Sequence, residues 1–79
     1  MNETQIENKL LIAADYLGYG NDTDSMLQDM IVDSIAIGVC RNPDCETCIE
    51  PVEPDATGYH CDECGFGCVD SILRIARII

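Results

Sequence analysis

The stretch from Cys40 to Cys64, CRNPDCETCIEPVEPDATGYHCDEC, decides how this chain folds. It holds Cys45-x2-Cys48 and Cys61-x2-Cys64, with twelve residues between the two pairs. A Cys-x2-Cys turn presents two sulfurs to one point, and two such turns at this separation are the pattern of a structural zinc site of the ribbon type. Cys40 stands five residues before Cys45 and offers a second way to build the first pair, with a Pro-Asp turn between the sulfurs. Cys61 and Cys64 belong to the compact Cys-Asp-Glu-Cys-Gly run. The partner pair is open between Cys45/Cys48 and Cys40/Cys45.

The rest of the chain explains why a metal is needed. With 79 residues there is room for one small domain, which buries only roughly 60% of the surface its unfolded form exposes. Such cores are usually supplemented by disulfides or a metal. The N-terminus has no basic leader and no apolar run long enough for a signal peptide or a membrane span, so the expected compartment is the cytoplasm, where thiols stay reduced. Metal is therefore expected over a six-cysteine disulfide scaffold. One structural Zn²⁺ is the expected cofactor, although iron also accepts a tetrahedron of four thiolates.

Outward from the cysteines, residues 3–17 read as a helix, with Ile6, Leu10, Ala13, Ala14 and Leu17 on one face and Gly18 and Gly20 as the stop. Asn21–Ser25 is a turn, and Met26, Leu27, Met30 and Ile31 mark a second helix over about 24–33. A short extended segment at 36–39 leads into Cys40. Ile49–Val52 and Tyr59-His60 read as the two strands of the ribbon's hairpin, with 53–58 as its loop; Pro51 suits an edge position. Gly65 and Gly67 are expected to take the positive φ that follows a knuckle's second ligand. Ser71–Ile79 is the most apolar segment and reads as a short helix, capped by Asp70 or Ser71, with a final strand as the alternative. The expected fold is thus a small, metal-stabilised α+β domain spanning 1–79. It has a helical part (1–36) and a zinc-ribbon-like part (37–79) with two knuckles, a short β-hairpin and a short C-terminal helix.

Charge limits the function. Fifteen acids face four bases, a net charge of −11. From residue 40 on, three Arg stand against eight Asp or Glu, a balance of −5, and four thiolates on one Zn²⁺ add about −2. A nucleic-acid-binding ribbon is expected to carry a basic patch, so nucleic acid is not an expected partner unless Arg41, Arg74 and Arg77 form a local strip. His60 adjoins Cys61, and neighbours in an extended strand point to opposite faces, so it reads as a surface residue. No Ser-His or Cys-His pair looks set for nucleophilic chemistry, and Gly18-Tyr19-Gly20 is too short for a phosphate loop. Enzyme activity is not expected.

From Asp33 on, the chain resembles a family of small, uncharacterised zinc-ribbon-like proteins of bacteria and their phages. The matching residues are Asp33-Ser34, the run Gly38 to Cys45, Val52-Glu53-Pro54-Asp55, Gly58, Cys61-Asp62-Glu63-Cys64-Gly65 and Ser71 with the apolar tail. The resemblance spans about residues 20–79 and implies a ligand set of Cys40, Cys45, Cys61 and Cys64. This chain departs from the pattern in having Cys48 and Cys68 where Thr is usual, and in one extra residue near Pro51. The family supplies a fold and a ligand set but no reaction. The expected role is a protein-interaction module that modulates a host protein, of phage or mobile-element type, with an unknown protein partner and no membrane association. The alternative is a nucleic-acid-associated ribbon of the transcription type.

Overall fold

The computed structural model describes residues 1–78. It is a small α+β fold of three helices and a three-stranded antiparallel sheet. Among the described residues no helix is long and apolar enough to cross a membrane.

Helix α1 (Glu3–Leu17) starts where the sequence places it, and its cap explains why. Asn2 Oδ1 accepts from the Gln5 N–H at 2.8 Å, and Gln5 Oε1 accepts from the Asn2 N–H at 3.0 Å. This reciprocal box satisfies two of the donors that a helix start leaves free. The helix ends at Gly18, whose N–H closes on the Ala14 and Asp15 carbonyls. Helix α2 (Thr23–Asp33) is capped by Asp22, which accepts from the Ser25 N–H at 3.2 Å and the Ser25 hydroxyl at 2.8 Å. Ser34 ends it in the left-handed region at φ 56°. The apolar faces meet largely as expected: Ala13, Ala14, Met26 and Met30 are buried, with Ile6, Leu10, Leu17 and Leu27 packed at the margin. Ile31 is the exception and stands half-exposed.

Strand β1 (Ala36–Cys40) is buried along its whole length and takes the centre of the sheet, between β2 (Cys48–Val52) and β3 (Val69–Ser71). This overturns the expected hairpin across residues 53–58. β2 returns along β1 through the first knuckle, while Tyr59 pairs with Val69 instead of with β2. The physical reason lies in Pro51. It cannot donate to a ladder, which confines it to an edge or a bulge. Here it has both: β2 is an edge strand, and the β1–β2 register shifts between Ala36 and Gly38, so Glu50 and Pro51 together face Ile37. Ala56, in the former loop, is buried and accepts from the Ser71 N–H at 2.8 Å.

The tail forms a strand and then a helix. β3 pairs Val69, Asp70 and Ser71 with Cys40, Val39 and Gly38. Helix α3 (Ile72–Ile75) follows, with Ser71 Oγ accepting from the Leu73 N–H at 3.1 Å. Asp70 does not cap. Its carboxylate accepts from the Thr57 hydroxyl (2.8 Å) and the Gly58 N–H (3.0 Å), and pairs with Arg41 at 3.4 Å. Ile72, Leu73 and Ile75 are buried against both long helices and β1. Ile78 is half-exposed, and the expected role of Ile79 lies outside the described residues.

Candidate metal centre

Each cysteine reaches the site by a different local route. Cys40 ends β1. The turn that follows is closed by the Cys45 N–H on the Asn42 carbonyl (3.0 Å) and by the Asp44 N–H on Asn42 Oδ1 (3.0 Å), which carries Cys45 back toward Cys40. The second knuckle closes with the Gly65 N–H on the Cys61 carbonyl at 2.7 Å and the Cys61 N–H on the Phe66 carbonyl at 2.8 Å. Gly65 has φ 74°, which a residue with Cβ rarely adopts. Gly67 does not take the expected positive φ. It is needed for space instead, because a Cβ there would lie 2.9 Å from the Gly58 carbonyl oxygen.

The result brings Cys40, Cys45, Cys61 and Cys64 together, with all four sulfurs within 4.8 Å of one another. Cys40 and Cys64 are 3.7 Å apart, and Cys45 and Cys61 are 3.8 Å apart. A tetrahedral ion with metal–sulfur bonds of about 2.3 Å sets its ligand sulfurs about 3.8 Å apart. The cluster therefore has the dimensions to hold a metal ion. Cys48, the rival ligand suggested by spacing, is outside this group. It sits on β2 with its thiol toward the Glu46 carbonyl (3.7 Å) and packs at the margin of the main core. His60 is exposed and lies 3.8 Å from the Asp62 carboxylate.

Neighbouring dipoles divide the four thiols into two classes. At Cys61 burial pushes the thiol up, but the backbone N–H of Cys64, the Thr47 hydroxyl and the Glu63 N–H together bring it down to about 6. The Thr47 hydroxyl, 3.1 Å from Cys45 Sγ, also lowers Cys45. Cys40 is pushed up to about 12 by burial and by the Cys68 thiol. At Cys64 the Asn42 amide pulls down, but the Cys45 sulfur, burial and the other thiols raise it to about 11. Near neutral pH the metal-free cluster thus keeps protons on Cys40 and Cys64. Metal ligation requires thiolates, so loading must displace at least two protons, and affinity falls as pH falls. A chelator competition with Zn²⁺ is expected to show affinity rising at least about 100-fold per pH unit near neutrality. A slope of one proton or fewer would contradict this division.

The sequence reading missed one residue of the site. Lys9, in the middle of α1, is only 2% exposed. Its ammonium donates to the Asn42 carbonyl at 2.6 Å and to the Cys45 carbonyl, so the N-terminal helix holds the first knuckle from outside. The signal was present in the periodicity: Lys9 follows Ile6 by three positions and precedes Ala13 by four, which puts it on the apolar stripe. A shallow groove at the same site is lined by Asp44, Glu46 and Glu63 beside Cys45 and Cys64, a setting that favours cations over anions. Comparison with family models, curated proteins and solved structures finds no match to this chain.

Proposed function

We propose that this chain is a non-catalytic, zinc-stabilised interaction module of the zinc-ribbon-like kind. The carrying observation is the closed cluster. Four cysteine sulfurs within 4.8 Å of one another can supply all four corners of a tetrahedron and would then leave no position for water or substrate, as in structural rather than catalytic zinc sites. The partner reading rests on the far end of α2. Val32 is 82% exposed and Ile31 and Ile35, close to it along the chain, are half-exposed. Ile35 also lines a shallow pocket with Pro51, Val52 and Tyr59, to which no member of the thiol cluster contributes. Apolar groups of this kind form the centres of protein contacts, and the surrounding acids favour a basic partner. The test is capture from bacterial lysate with wild-type protein and with a Val32→Asp/Ile35→Asp variant, each checked for one equivalent of zinc. A partner retained by the wild type and lost from the zinc-loaded variant supports the reading. Equal capture by both overturns it.

A second reading, the nucleic-acid-associated ribbon, is favoured by one observation. Arg41, Arg74 and Arg77 line a single small cavity, together with Asp70. Weighing against it, Arg41 is already held by Asp70 and by the Gly67 and Cys68 carbonyls, and Arg77 donates to the Met1 carbonyl. Nonspecific binding draws its affinity from free Lys and Arg that displace counterions. Duplex and single-stranded oligonucleotides at about 150 mM salt are expected to show no micromolar binding. Such binding, lost on Arg74→Ala, would promote this reading over the first.

A further inference from the structure

The fifth thiol beside the cluster has a partner of its own. Cys68 Sγ lies 3.1 Å from Cys40 Sγ, closer than the 3.7 and 3.8 Å separations within the cluster. The approach is set where the chain enters β3, one residue before the strand begins. Cys40 pairs with Val69 across the β1–β3 ladder, and the Arg41 N–H donates to the Cys68 carbonyl at 2.8 Å. The two residues also differ in access. Cys40 is fully buried, whereas Cys68 is half-buried at the rim.

From this juxtaposition we infer that Cys68 is a site of peroxide oxidation and that Cys40 resolves it as a disulfide, which removes one ligand from the metal centre. This inference rests on the proposed metal site for its consequence, but not for the thiol chemistry. In the first step Cys68 gives up its proton and its thiolate attacks hydrogen peroxide; the O–O bond breaks, the leaving oxygen takes the proton, and Cys68–SOH and water form. In the second the Cys40 sulfur attacks the Cys68 sulfur and expels hydroxide, which leaves as water where it takes up the Cys40 proton. The two sulfurs together lose two electrons, and the peroxide gains them. Cys45, Cys61 and Cys64 then remain as an open, three-sulfur site, which holds zinc less tightly than a closed one. The disulfide is reducible by thiols, so the step is reversible, unlike oxidation to the sulfinic acid.

The test treats the zinc-loaded full chain with about one equivalent of hydrogen peroxide. Released zinc is read with a chromogenic chelator, and disulfides are mapped by mass spectrometry. Zinc release with a Cys40–Cys68 disulfide is expected, with zinc taken up again after dithiothreitol. Cys68→Ser and Cys68→Ala are expected to release zinc at least tenfold more slowly, and Cys48→Ser to behave as wild type. Equal release from the Cys68 variants, or a first disulfide among Cys45, Cys61 and Cys64, would overturn the inference. A chain purified without metal would defeat the zinc reading alone. Disulfide mapping on that metal-free chain would still decide the Cys40–Cys68 pairing.

Discussion

Cys61→Ser and Cys64→Ser are each expected to abolish metal retention and to unfold the second half of the chain. Structural zinc contributes about 10–16 kcal/mol in isolated fingers, comparable to the whole stability of a typical small domain, about 5–15 kcal/mol. The secondary cluster of Cys40, Cys45, Cys61 and Val69 has little apolar material to replace it. Cys45→Ser is expected to match them. Cys40→Ser is expected to be severe as well, because it strips a ligand and also alters the buried end of β1. Cys48→Ser and Cys68→Ser are expected to keep one equivalent of metal. Elemental analysis and far-UV circular dichroism on the series check the ranking. A Cys48→Ser protein without metal, beside a Cys40→Ser protein that retains it, would reverse the ligand assignment.

Lys9→Met is the other substitution with a large expected effect. Methionine fills a similar volume on the apolar face of α1, so packing is nearly preserved, but the ammonium and its two hydrogen bonds are lost. Hydrogen bonds to a charged group are worth roughly 1.5–3 kcal/mol each, and leaving the buried Cys45 carbonyl unpaired adds to the cost. A loss of about 3 kcal/mol or more is expected in urea unfolding of the metal-loaded protein. The field adds to this, since four thiolates on a divalent ion carry about −2 and Lys9 is a buried cation held against the same knuckle. Lys9→Met should therefore also weaken metal affinity, whereas the exposed Arg74, changed to Met, should leave both unchanged. Stability within about 0.5 kcal/mol of wild type, the usual range for a surface substitution, would show that the contact contributes little.

The features legible in the sequence were those set by neighbours along the chain. Asn2, Gln5 and Gly18 bound α1 through contacts spanning three or four residues, so its limits read correctly. The tail helix was legible for the same reason, through Ser71 and the spacing of its apolar residues. β3 was not, because three residues carry almost no periodicity and become a strand only by pairing with β1, some thirty positions earlier. The hairpin was assigned to the wrong strands because alternation identifies a strand without naming its partner. Spacing left the choice between Cys40 and Cys48 open, since both suit a turn. The fold separates them: β1 delivers Cys40 to the other sulfurs, and the pairing of Cys48 with Val39 keeps Cys48 on β2, outside the cluster. Periodicity places Lys9 on the apolar stripe, but its partners, like that of Cys68, lie more than twenty-five residues away, beyond any local pattern.

The central strand has a consequence for portability. Ala36, Ile37 and Val39 belong to the helical core, Cys40 to the thiol cluster, and Ile49 packs against both. The line between a helical part and a cysteine part therefore falls inside a single strand rather than in a linker. Residues 37–79 transplanted alone into a host protein would expose Ile37, Val39, Ile72 and Leu73 to water and leave the Asn42 and Cys45 carbonyls without Lys9. Residues 1–36 alone would be two short helices with nothing to cover them. Unlike a free-standing finger, this cysteine module cannot be shuffled between proteins without its helices.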